Sequence, residues 1–264
     1  MFCRAYAALT LWCLGYPEQA LQRSHEAVTL ARELAHPFSL GIALCFAAVL
    51  HQFRREGQLA QEWAEAGLAL ATEQRFAVLR ANGTIFRGWA LAQQSSEPDA
   101  GQGQREAGMA QIQQGLAAWR ATGSETFRPY GLALLAEASA QAGQIEEGLT
   151  LLTEALAVAK STGERRWDAE LYRLQGEVLL ARTMGQDTEV ETCFHQALDI
   201  ARRQEAKSLE LRAAMSLCRM WQRQGKRVEA RQLLAEVYGW FTEGFDTADL
   251  QEAQALLAAL QEKR

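Results

Sequence analysis

The sequence predicts an all-α solenoid of about six stacked helical hairpins followed by a capping helix. Good helix formers (Ala, Leu, Glu, Gln and Arg) dominate the 264 residues, which include only 4 prolines. Alternating runs of Val, Ile and Thr, which strands would need, are absent. A similar helical stretch also recurs about every 40 residues. A regular period of this length is typical of helical repeat proteins.

A glycine marks each repeat, and we expect it to end one helix and open the turn to the next. A helix commonly ends in a left-handed residue, where a Cβ atom is penalised and glycine is favoured. The candidate turn glycines lie 40 to 46 residues apart: Gly15, Gly57, Gly101 or Gly103, Gly143, Gly185 and Gly225.

Each unit is therefore predicted to hold two helices. We expect first helices near 2–14, 38–55, 76–93, 127–142, 167–182 and 208–224, and second helices near 17–35, 58–74, 104–121, 144–161, 187–204 and 227–242. Pro17, Pro37 and Pro129 fall in first turns, where proline is tolerated. The stretch "SSEPDAGQGQ" (95–104) is predicted to be a loop. A last helix over 247–260 would place Gln251, Glu252 and Gln254 on an outer, capping face.

The second helices carry small residues on one face, with Leu or Ile beside them. Spacings of three, four and seven put these residues on one stripe, which a neighbouring hairpin can bury. The small positions are Ala20, Ala27, Gly148, Ala155, Ala197 and Ala230. We predict a single domain over 1–264, with units near 1–36, 37–75, 76–122, 123–163, 164–205 and 206–244 and a capping helix over 247–261.

Composition argues against several classes of function. The net charge of -5 gives no general case for nucleic acid or membrane binding. The apolar run near the N-terminus is too short to span a bilayer and lacks a convincing cleavage site, so we expect a cytoplasmic protein. The 5 cysteines are scattered without a C-x-x-C pair, which favours buried free thiols in a reducing compartment.

Motifs that carry chemistry are missing. The sequence has no G-x-x-x-x-G-K-[ST], no G-x-S-x-G and no H-E-x-x-H. The glycine-rich "GQGQREAG" (101–108) lacks both the preceding strand and the spacing of a dinucleotide site. His195 and Asp199 share a helix face, but no third metal ligand is evident. We therefore predict no enzyme activity, no metal and no cofactor.

Several segments together resemble the tetratricopeptide repeat (TPR) superfamily. The resemblance implies a right-handed superhelix, with a period here of about 40 residues instead of 34 and therefore longer helices, as in TPR-like sensor domains of bacterial signalling proteins. The segments that carry it are "FRGWALA" (86–92), "LLAEASAQAGQIEEGLTLLTEAL" (134–156), "LQGEVLLA" (174–181) and "CRMWQRQGKRVEARQLLAEVYGWF" (218–241).

Two longer stretches, 161–180 and 206–253, resemble the C-terminal repeat regions of bacterial class III adenylate cyclase–ATPase fusion proteins. In that family a cyclase domain and an ATPase module precede the repeats, and neither is present in this sequence. The resemblance therefore implies a repeat portion alone, as a fragment or a stand-alone gene. It also implies a cyclase or ATPase signalling protein as a partner, and gives no basis for cyclase activity in this chain.

The first helices of a stacked-hairpin superhelix usually line its concave face, where a partner would bind. Counting back from each turn glycine gives the candidate partner-binding residues. Trp12, Trp89 and Tyr130 have the alternative role of core residues between repeats, and the charged side chains could be solvated faces. Besides Trp12, the candidates are His51, Arg54, Arg55, Asn82, Trp89, Gln93, Tyr130, Glu137, Gln141, Glu170, Arg173, Glu177, Arg212, Arg219 and Arg223.

The segment 202–231 is locally basic, with nine Lys or Arg residues against three Glu. Arg212, Arg219 and Arg223 follow one another at spacings of seven and four, which predicts a stripe on one helix. Arginine suits carboxylates, so the stripe could receive an acidic peptide or surface. Nucleic acid is not expected, because aromatic residues are not interleaved with the basic ones beyond Trp221.

Three functions follow in order of preference. The first is a non-catalytic scaffold or signalling sensor that binds a protein or peptide on its concave face. The second is a small-molecule-sensing regulatory domain of a cyclase, ATPase or transcription-regulator system. That function would require a deep pocket instead of an open groove. The third, an enzyme, has no supporting motif.

Overall fold

The computed structural model describes residues 1–93, 98–182 and 187–261, which form α-helices and turns without a β-strand. The first helices of the six hairpins are α1 (Phe2–Cys13), α3 (Pro37–Phe53), α5 (Ala77–Gln93), α7 (Arg128–Gln141), α9 (Asp168–Arg182) and α11 (Lys207–Arg223). The second helices are α2 (Pro17–Glu33), α4 (Gly57–Glu73), α6 (Pro98–Ala121), α8 (Ile145–Thr162), α10 (Asp187–Arg203) and α12 (Arg227–Tyr238). The last helix is α13 (Ala248–Gln261), and a short 3-10 helix, Arg165–Trp167, precedes α9. The predicted all-α hairpin solenoid is confirmed.

The turn glycines were predicted correctly in three hairpins. Gly15, Gly143 and Gly225 have left-handed backbones, with φ of 90°, 81° and 81°. In the second hairpin the prediction was wrong, because Gly57 begins α4 and Arg55 takes the left-handed conformation, with φ of 62°. Gly185 lies outside the described residues.

The third hairpin differs most from the prediction. Helix α6 begins at Pro98, so Gly101 and Gly103 are helical and most of the expected loop is the first turns of a 24-residue helix. Residues 95–97 of that expected loop lie outside the described residues. Gly88 and Gly108 let α5 and α6 approach closely, since a Cβ built on Gly88 would lie 2.7 Å from the carbonyl oxygen of Gly108.

The predicted stripe of small residues is buried throughout the array. The alanines on this stripe, Ala20, Ala27, Ala155, Ala197 and Ala230, are almost completely excluded from solvent. Gly148 is buried too. Larger neighbours such as Leu152 and Leu234 are fully buried beside them. Small residues therefore bring adjacent helices together, and the larger ones interlock around them.

The six first helices form an inner ring. In order, α1, α3, α5, α7, α9 and α11 each contact the next, and α11 also contacts α1. The array therefore curls until its first and last hairpins meet. The hydroxyl of Ser208, on α11, donates to the carbonyl oxygen of Trp12, on α1, at 2.5 Å.

The segment between α12 and α13 strengthens this closure. One carboxylate oxygen of Glu243 accepts from the backbone N–H groups of Glu18 (3.0 Å) and Gln19 (3.1 Å), at the start of α2. In return, the backbone N–H of Gly244 donates to the Glu18 carboxylate at 2.8 Å. Glu243 therefore satisfies helix N-terminal donors, as an N-cap residue would, but from the other end of the chain.

Aromatic rings fill part of the space inside the ring. The ring of Phe53 lies 4.7 Å from Trp12, 5.5 Å from Tyr130 and 5.2 Å from Trp167, measured between centroids. Tyr130 stacks on Trp167 at 4.4 Å. These buried side chains come from four separate elements, so they tie distant hairpins together.

Two further expectations can be compared with the structure. Cys45, Cys193 and Cys218 are buried free thiols, whereas Cys13 is partly exposed and Cys3 is exposed. None of the helices in the described parts of the chain combines the length and hydropathy that a bilayer crossing requires.

Candidate ligand cavity on the concave face

The inner ring encloses a cavity of about 400 Å³. Its lining comes from α3, α5, α7, α9, α11 and α13, together with the turn that leads into α4. Ten of the sixteen predicted partner-binding residues line it: Arg55, Trp89, Gln93, Tyr130, Glu137, Gln141, Glu170, Arg173, Arg212 and Arg219.

Helical spacing explains why so many polar side chains converge here. On α7, Tyr130, Leu134, Glu137 and Gln141 follow one another at steps of three or four residues, and all four line the cavity. The cavity-lining residues of α9 and α11 are spaced in the same way. Residues at these spacings share one helix face, and the ring turns that face inward.

A chain of ion pairs crosses the cavity wall. Arg173 binds Glu170 through two hydrogen bonds, at 2.9 and 2.8 Å. Arg212 lies 3.6 Å from Glu170 and donates to Asp249, on α13, at 2.7 Å. Desolvation opposes the ionisation of Glu170, but Arg173 and Arg212 outweigh it and lower the pKa of this carboxyl to about 2.

The chain of ion pairs continues at the more exposed side of the cavity. Arg55 lies 3.3 Å from Asp249 and 2.6 Å from Glu252. Arg219 donates to the other oxygen of Glu252 at 2.8 Å. The side chains of Arg55 and Arg219 remain 43% and 40% exposed. Two guanidinium groups therefore share one carboxylate beside open space.

Several polar groups on the lining lack a protein partner. Within the described residues, Glu137 makes no hydrogen bond or ion pair, and burial raises the pKa of its carboxyl. Trp89 is 4% exposed, and its Nε1 has no hydrogen-bond partner in the same part of the chain. A buried donor without a partner is costly, which applies to Trp89, whereas the half-buried Glu137 could take a counter-ion from a ligand.

The predicted basic stripe does not form a free cationic surface. Arg212 is buried between Asp249 and the carbonyl oxygen of Phe53, to which it donates at 2.5 Å. Arg219 is paired with Glu252, and Arg223 is exposed and does not line the cavity. The expectation that Glu252 lies on an outer, capping face was wrong, because α13 turns this carboxylate toward the arginines.

The other predicted residues lie away from the cavity. His51 is buried, with Nδ1 2.5 Å from Glu56, and Arg54 donates to the same carboxylate at 2.8 Å and to the carbonyl oxygen of Pro17 at 3.1 Å. Asn82 is buried as well. These three side chains are buried outside the cavity lining, so they contribute to packing.

Two sequence predictions lie at the edge of the site. Glu177 accepts from Ser216, a cavity residue, at 2.6 Å and lines a smaller neighbouring cavity with Glu137 and Arg173. Trp12 packs against Phe53 in the core, which is the alternative considered for it.

Sequence reasoning missed some of the lining. Gln52, which accepts from the hydroxyl of Tyr130 at 2.7 Å, belongs to it, as do Asp249 and Glu252. The i, i+3 spacing of Asp249 and Glu252 was a usable signal for an acidic helix face. The described residues contain no group of three or more His, Cys, Asp or Glu side chains arranged to hold a metal ion.

Comparisons with known proteins show the fold only. No family model matches the chain. An uncharacterised protein of Rhizobium meliloti (strain 1021) is 27% identical over 210 residues, which are 80% of this chain and 20% of that protein. The chain therefore spans about a fifth of this relative's length. A crystal structure of TPR-like repeats from a Podosopora anserina chain, described as a kinesin light chain, matches with a TM-score of 0.50 at 20% identity, over 86% of this chain and 99% of that one. A point variant of the same repeats matches over 83% and 95%, with a TM-score of 0.49 at 20% identity. The chain thus has a TPR-like helical repeat fold.

Proposed function

We propose that this chain is a non-catalytic binding module that receives a small polar ligand in the cavity of its inner ring. The observation that carries the proposal is a partly open cavity of about 400 Å³ whose wall holds polar groups without protein partners, Glu137 and Trp89. Cavities of this volume are typical of small-molecule sites, and a few unpaired polar groups fix a ligand's orientation there.

The closed ring favours a small ligand over an extended acidic peptide. An open groove would let a peptide run along the first helices, but here α11 contacts α1. An acidic peptide would also have to displace Asp249 and Glu252 from Arg212, Arg55 and Arg219. Breaking the buried ion pair of Arg212 is expensive, so this arginine is poorly available to a second anion.

The lining supports binding more than catalysis. In its described residues it contains no histidine, cysteine or lysine, the side chains that most often act as nucleophile or general base. Glu170 is held ionised by two arginines, which suits a structural anion. The module would therefore act as a sensor, with ligand contacts from several inner helices stabilising the closed ring.

The protein that such a sensor regulates is expected to lie outside the 264 residues of this chain. About four-fifths of the Rhizobium meliloti relative lies beyond the matched region, and its activity is not known. The resemblance to cyclase–ATPase fusion proteins makes a cytoplasmic cyclase or ATPase signalling protein the partner to test first. Ligand binding would then alter the contact between the closed ring and that partner.

Native mass spectrometry of the gently purified protein, followed by a thermal-shift screen of polar metabolites, tests the proposal. We expect a bound small molecule or a compound that raises the melting temperature of the wild-type protein. The response should be lost in Trp89→Phe, which removes the unpaired N–H together with part of the ring, and retained in Arg223→Gln, which lies away from the cavity. Absence of any small ligand in both experiments would count against the proposal.

Exposed apolar side chains at one edge of the array favour a protein-binding surface as a second candidate. Leu34, Phe38 and Val78 are 56%, 45% and 38% exposed, and the ring of Phe38 contacts that of Phe76 at 5.1 Å. Clustered apolar side chains in water often mark a protein contact. Affinity capture with Phe38→Ser beside the wild type tests this surface, and an unchanged set of captured proteins would rule it out.

A further inference from the structure

We infer that the ligand is a zwitterion of the amino-acid or short-peptide class, with its ammonium group at Glu137 and its carboxylate at Arg55 and Arg219. This inference rests on the proposed function, because it assigns a chemical class to the small ligand of the same cavity. Three features of the lining support it: an acid without a paired cation, two half-exposed guanidinium groups that share one carboxylate, and amides without partners.

Glu137 is the acidic end of the cavity. Its carboxyl lies in the wall without a hydrogen bond or ion pair to any described residue. Arg173, the strongest positive influence on it, is already bonded twice to Glu170 and lies 3.6 Å from Glu177. An ammonium group supplied by a ligand would give Glu137 the counter-ion that the protein does not provide.

Aromatic rings line the same cavity as Glu137. Trp89 and Tyr130 are both buried lining residues, and Tyr130 stands on the same face of α7. Tyr130 is already stacked on Trp167 and packed against Phe53, so Trp89 is the aromatic neighbour that could add to the attraction between Glu137 and an ammonium group.

Arg55, Arg212 and Arg219 form the basic end. Arg212 is buried and pairs with both Asp249 and Glu170. Arg55, which also contacts Asp249, and Arg219 are half-exposed and converge on one carboxylate, that of Glu252. Each guanidinium has five N–H donors, and a ligand carboxylate could take those that Glu252 does not use.

A ligand with only one of these charges fits poorly. A simple anion would leave Glu137 without a partner. A simple amine would bind Glu137 while exposed to the field of Arg173, Arg212 and Arg55, all of which act on that carboxyl. Only a ligand that carries both charges can pair with both ends of the cavity. The lining holds four arginines and four carboxyl groups in total.

The neutral part of the lining suits a peptide group. Gln93 and Gln141 line the cavity, and their side-chain amides make no hydrogen bond with the described residues. A primary amide offers one acceptor and two donors, the complement of a peptide N–H and C=O. Alanine dipeptides and tripeptides with free ends are therefore suitable first probes.

Isothermal titration calorimetry of the whole 264-residue chain tests the inference with Ala-Ala and Ala-Ala-Ala. Each is compared with its N-acetyl form, which lacks the ammonium group, and with its C-terminal amide, which lacks the carboxylate. We expect each cap to weaken binding by about tenfold or more, the loss typical of one charged hydrogen bond. The free-ended peptides should also raise the melting temperature.

Three variants test which protein group binds each charged end of the peptide. Glu137→Gln should remove the preference for the free amine and keep the preference for the free carboxylate. Arg219→Gln should have the opposite pattern. Arg223→Gln, an exposed arginine on the same helix, should behave as the wild type. Circular dichroism on each variant confirms that the helices are retained, so that a loss of preference reports recognition and not unfolding.

Three results would overturn the inference. The first is equal binding of free and capped peptides, and the second is no binding of any free-ended peptide. The third is a ligand from the metabolite screen that lacks an ammonium or a carboxylate group, which would leave the proposed small-ligand function in place. A screen without any small ligand counts against the proposed function itself, so the two failures are distinguishable.

Discussion

Arg55 and Glu252 form an ion pair at 2.6 Å although 197 residues separate them in the sequence. The pair connects the end of α3 with the last helix across the inner ring. It shows that the array closes on itself through charged groups of the cavity wall, so that architecture and candidate site depend on the same contacts.

We predict that Glu243→Ala loosens this closure. The substitution removes the carboxylate that accepts from the backbone of Glu18 and Gln19, a loss of about 1 kcal/mol by analogy with an N-cap. Urea denaturation should show that decrease, and spin labels on α2 and α12 should show a wider distance distribution. Glu236→Ala, at an exposed position on α12, serves as the control. An unchanged distance distribution would mean that other contacts are sufficient to hold the ends together.

Replacing the buried Arg212 should be strongly destabilising. Arg212→Met leaves Asp249 without its closest cation, and breaking such a pair costs about 3–5 kcal/mol. The exposed Arg223→Met should change the free energy of unfolding by less than about 0.5 kcal/mol. Adding Asp249→Leu to Arg212→Met should recover part of the loss, because the unpaired carboxylate is then gone. If both single arginine variants were equally stable in urea, the ion-pair network would have no structural role.

We expect the folded state to lose stability in acid because Glu170 becomes protonated. Its pKa is lowered from 4.5 to about 2, so its ionised form stabilises the folded state above pH 4.5 and this contribution is lost as the pH falls toward 2. A shift of this size corresponds to roughly 3 kcal/mol. Urea denaturation from pH 2 to 7 should therefore show a shallower pH dependence for Glu170→Gln than for the wild type. Parallel curves for the two proteins would contradict the assignment.

Glu137 should have the opposite effect on the pH dependence of stability. Burial raises its pKa, so the folded state holds this proton more tightly than the unfolded state and loses stability as the pH rises through the raised value. We therefore expect Glu137→Gln to be more stable than the wild type at pH 8 and close to it at pH 4. Melting temperatures at the two pH values provide the measurement. A larger advantage at pH 4 than at pH 8 would reverse the sign and contradict the raised pKa of Glu137.

If the ligand's ammonium group binds at Glu137, binding should release a proton from that carboxyl. Affinity for Ala-Ala should then rise with pH, by at most about tenfold per unit, as the pH rises toward the raised pKa of Glu137 while both peptide ends stay ionised. Calorimetry in two buffers of different ionisation enthalpy measures the released proton directly. Glu137→Gln should show no release, and proton release in that variant would place the linkage on another group.

Two glycines of the third hairpin should respond in opposite ways. Gly88→Ala places a Cβ 2.7 Å from the carbonyl oxygen of Gly108, a backbone atom that cannot move away cheaply, so we expect a loss of about 1–3 kcal/mol. Gly103→Ala meets nothing within 4 Å and lies inside α6, so helix propensity should stabilise the protein by up to about 1 kcal/mol. Thermal unfolding of both variants tests whether 98–104 is helical, and a destabilised Gly103→Ala would favour the loop.

The helices and their packing faces could be predicted because both depend on local spacing. The predicted first helix 167–182, for example, is α9 over Asp168–Arg182, and Ala155 and Ala197 are buried as their spacing indicated. The misplaced turn at Gly57 also has a local cause. Arg55 adopts the left-handed conformation without glycine's advantage, and propensity alone does not reveal such a residue.

The candidate site was only partly predictable. The helical period shows which side chains of each first helix face inward, but the carboxylates that pair with the arginines lie far away in the sequence. Counting along α7, α9 and α11 identifies Glu137, Arg173 and Arg219 as inward-facing. It gives no sign that Asp249 and Glu252 return to them, because 33 residues or more separate each carboxylate from its arginine. Ring closure depends on the accumulated curvature of six hairpins, which no single repeat encodes.

That closure changes how the protein should fold. In an open repeat array each unit contacts only its neighbours, so terminal units can fray independently and contacts stay short in sequence. Here Trp12 meets Ser208 across 196 residues, and the two terminal hairpins stabilise each other. Fraying from one end therefore removes contacts at both, which raises the cooperativity of unfolding. The same long-range contacts form only after the intervening chain is in place, so docking of the ends should be a late and slow step in folding.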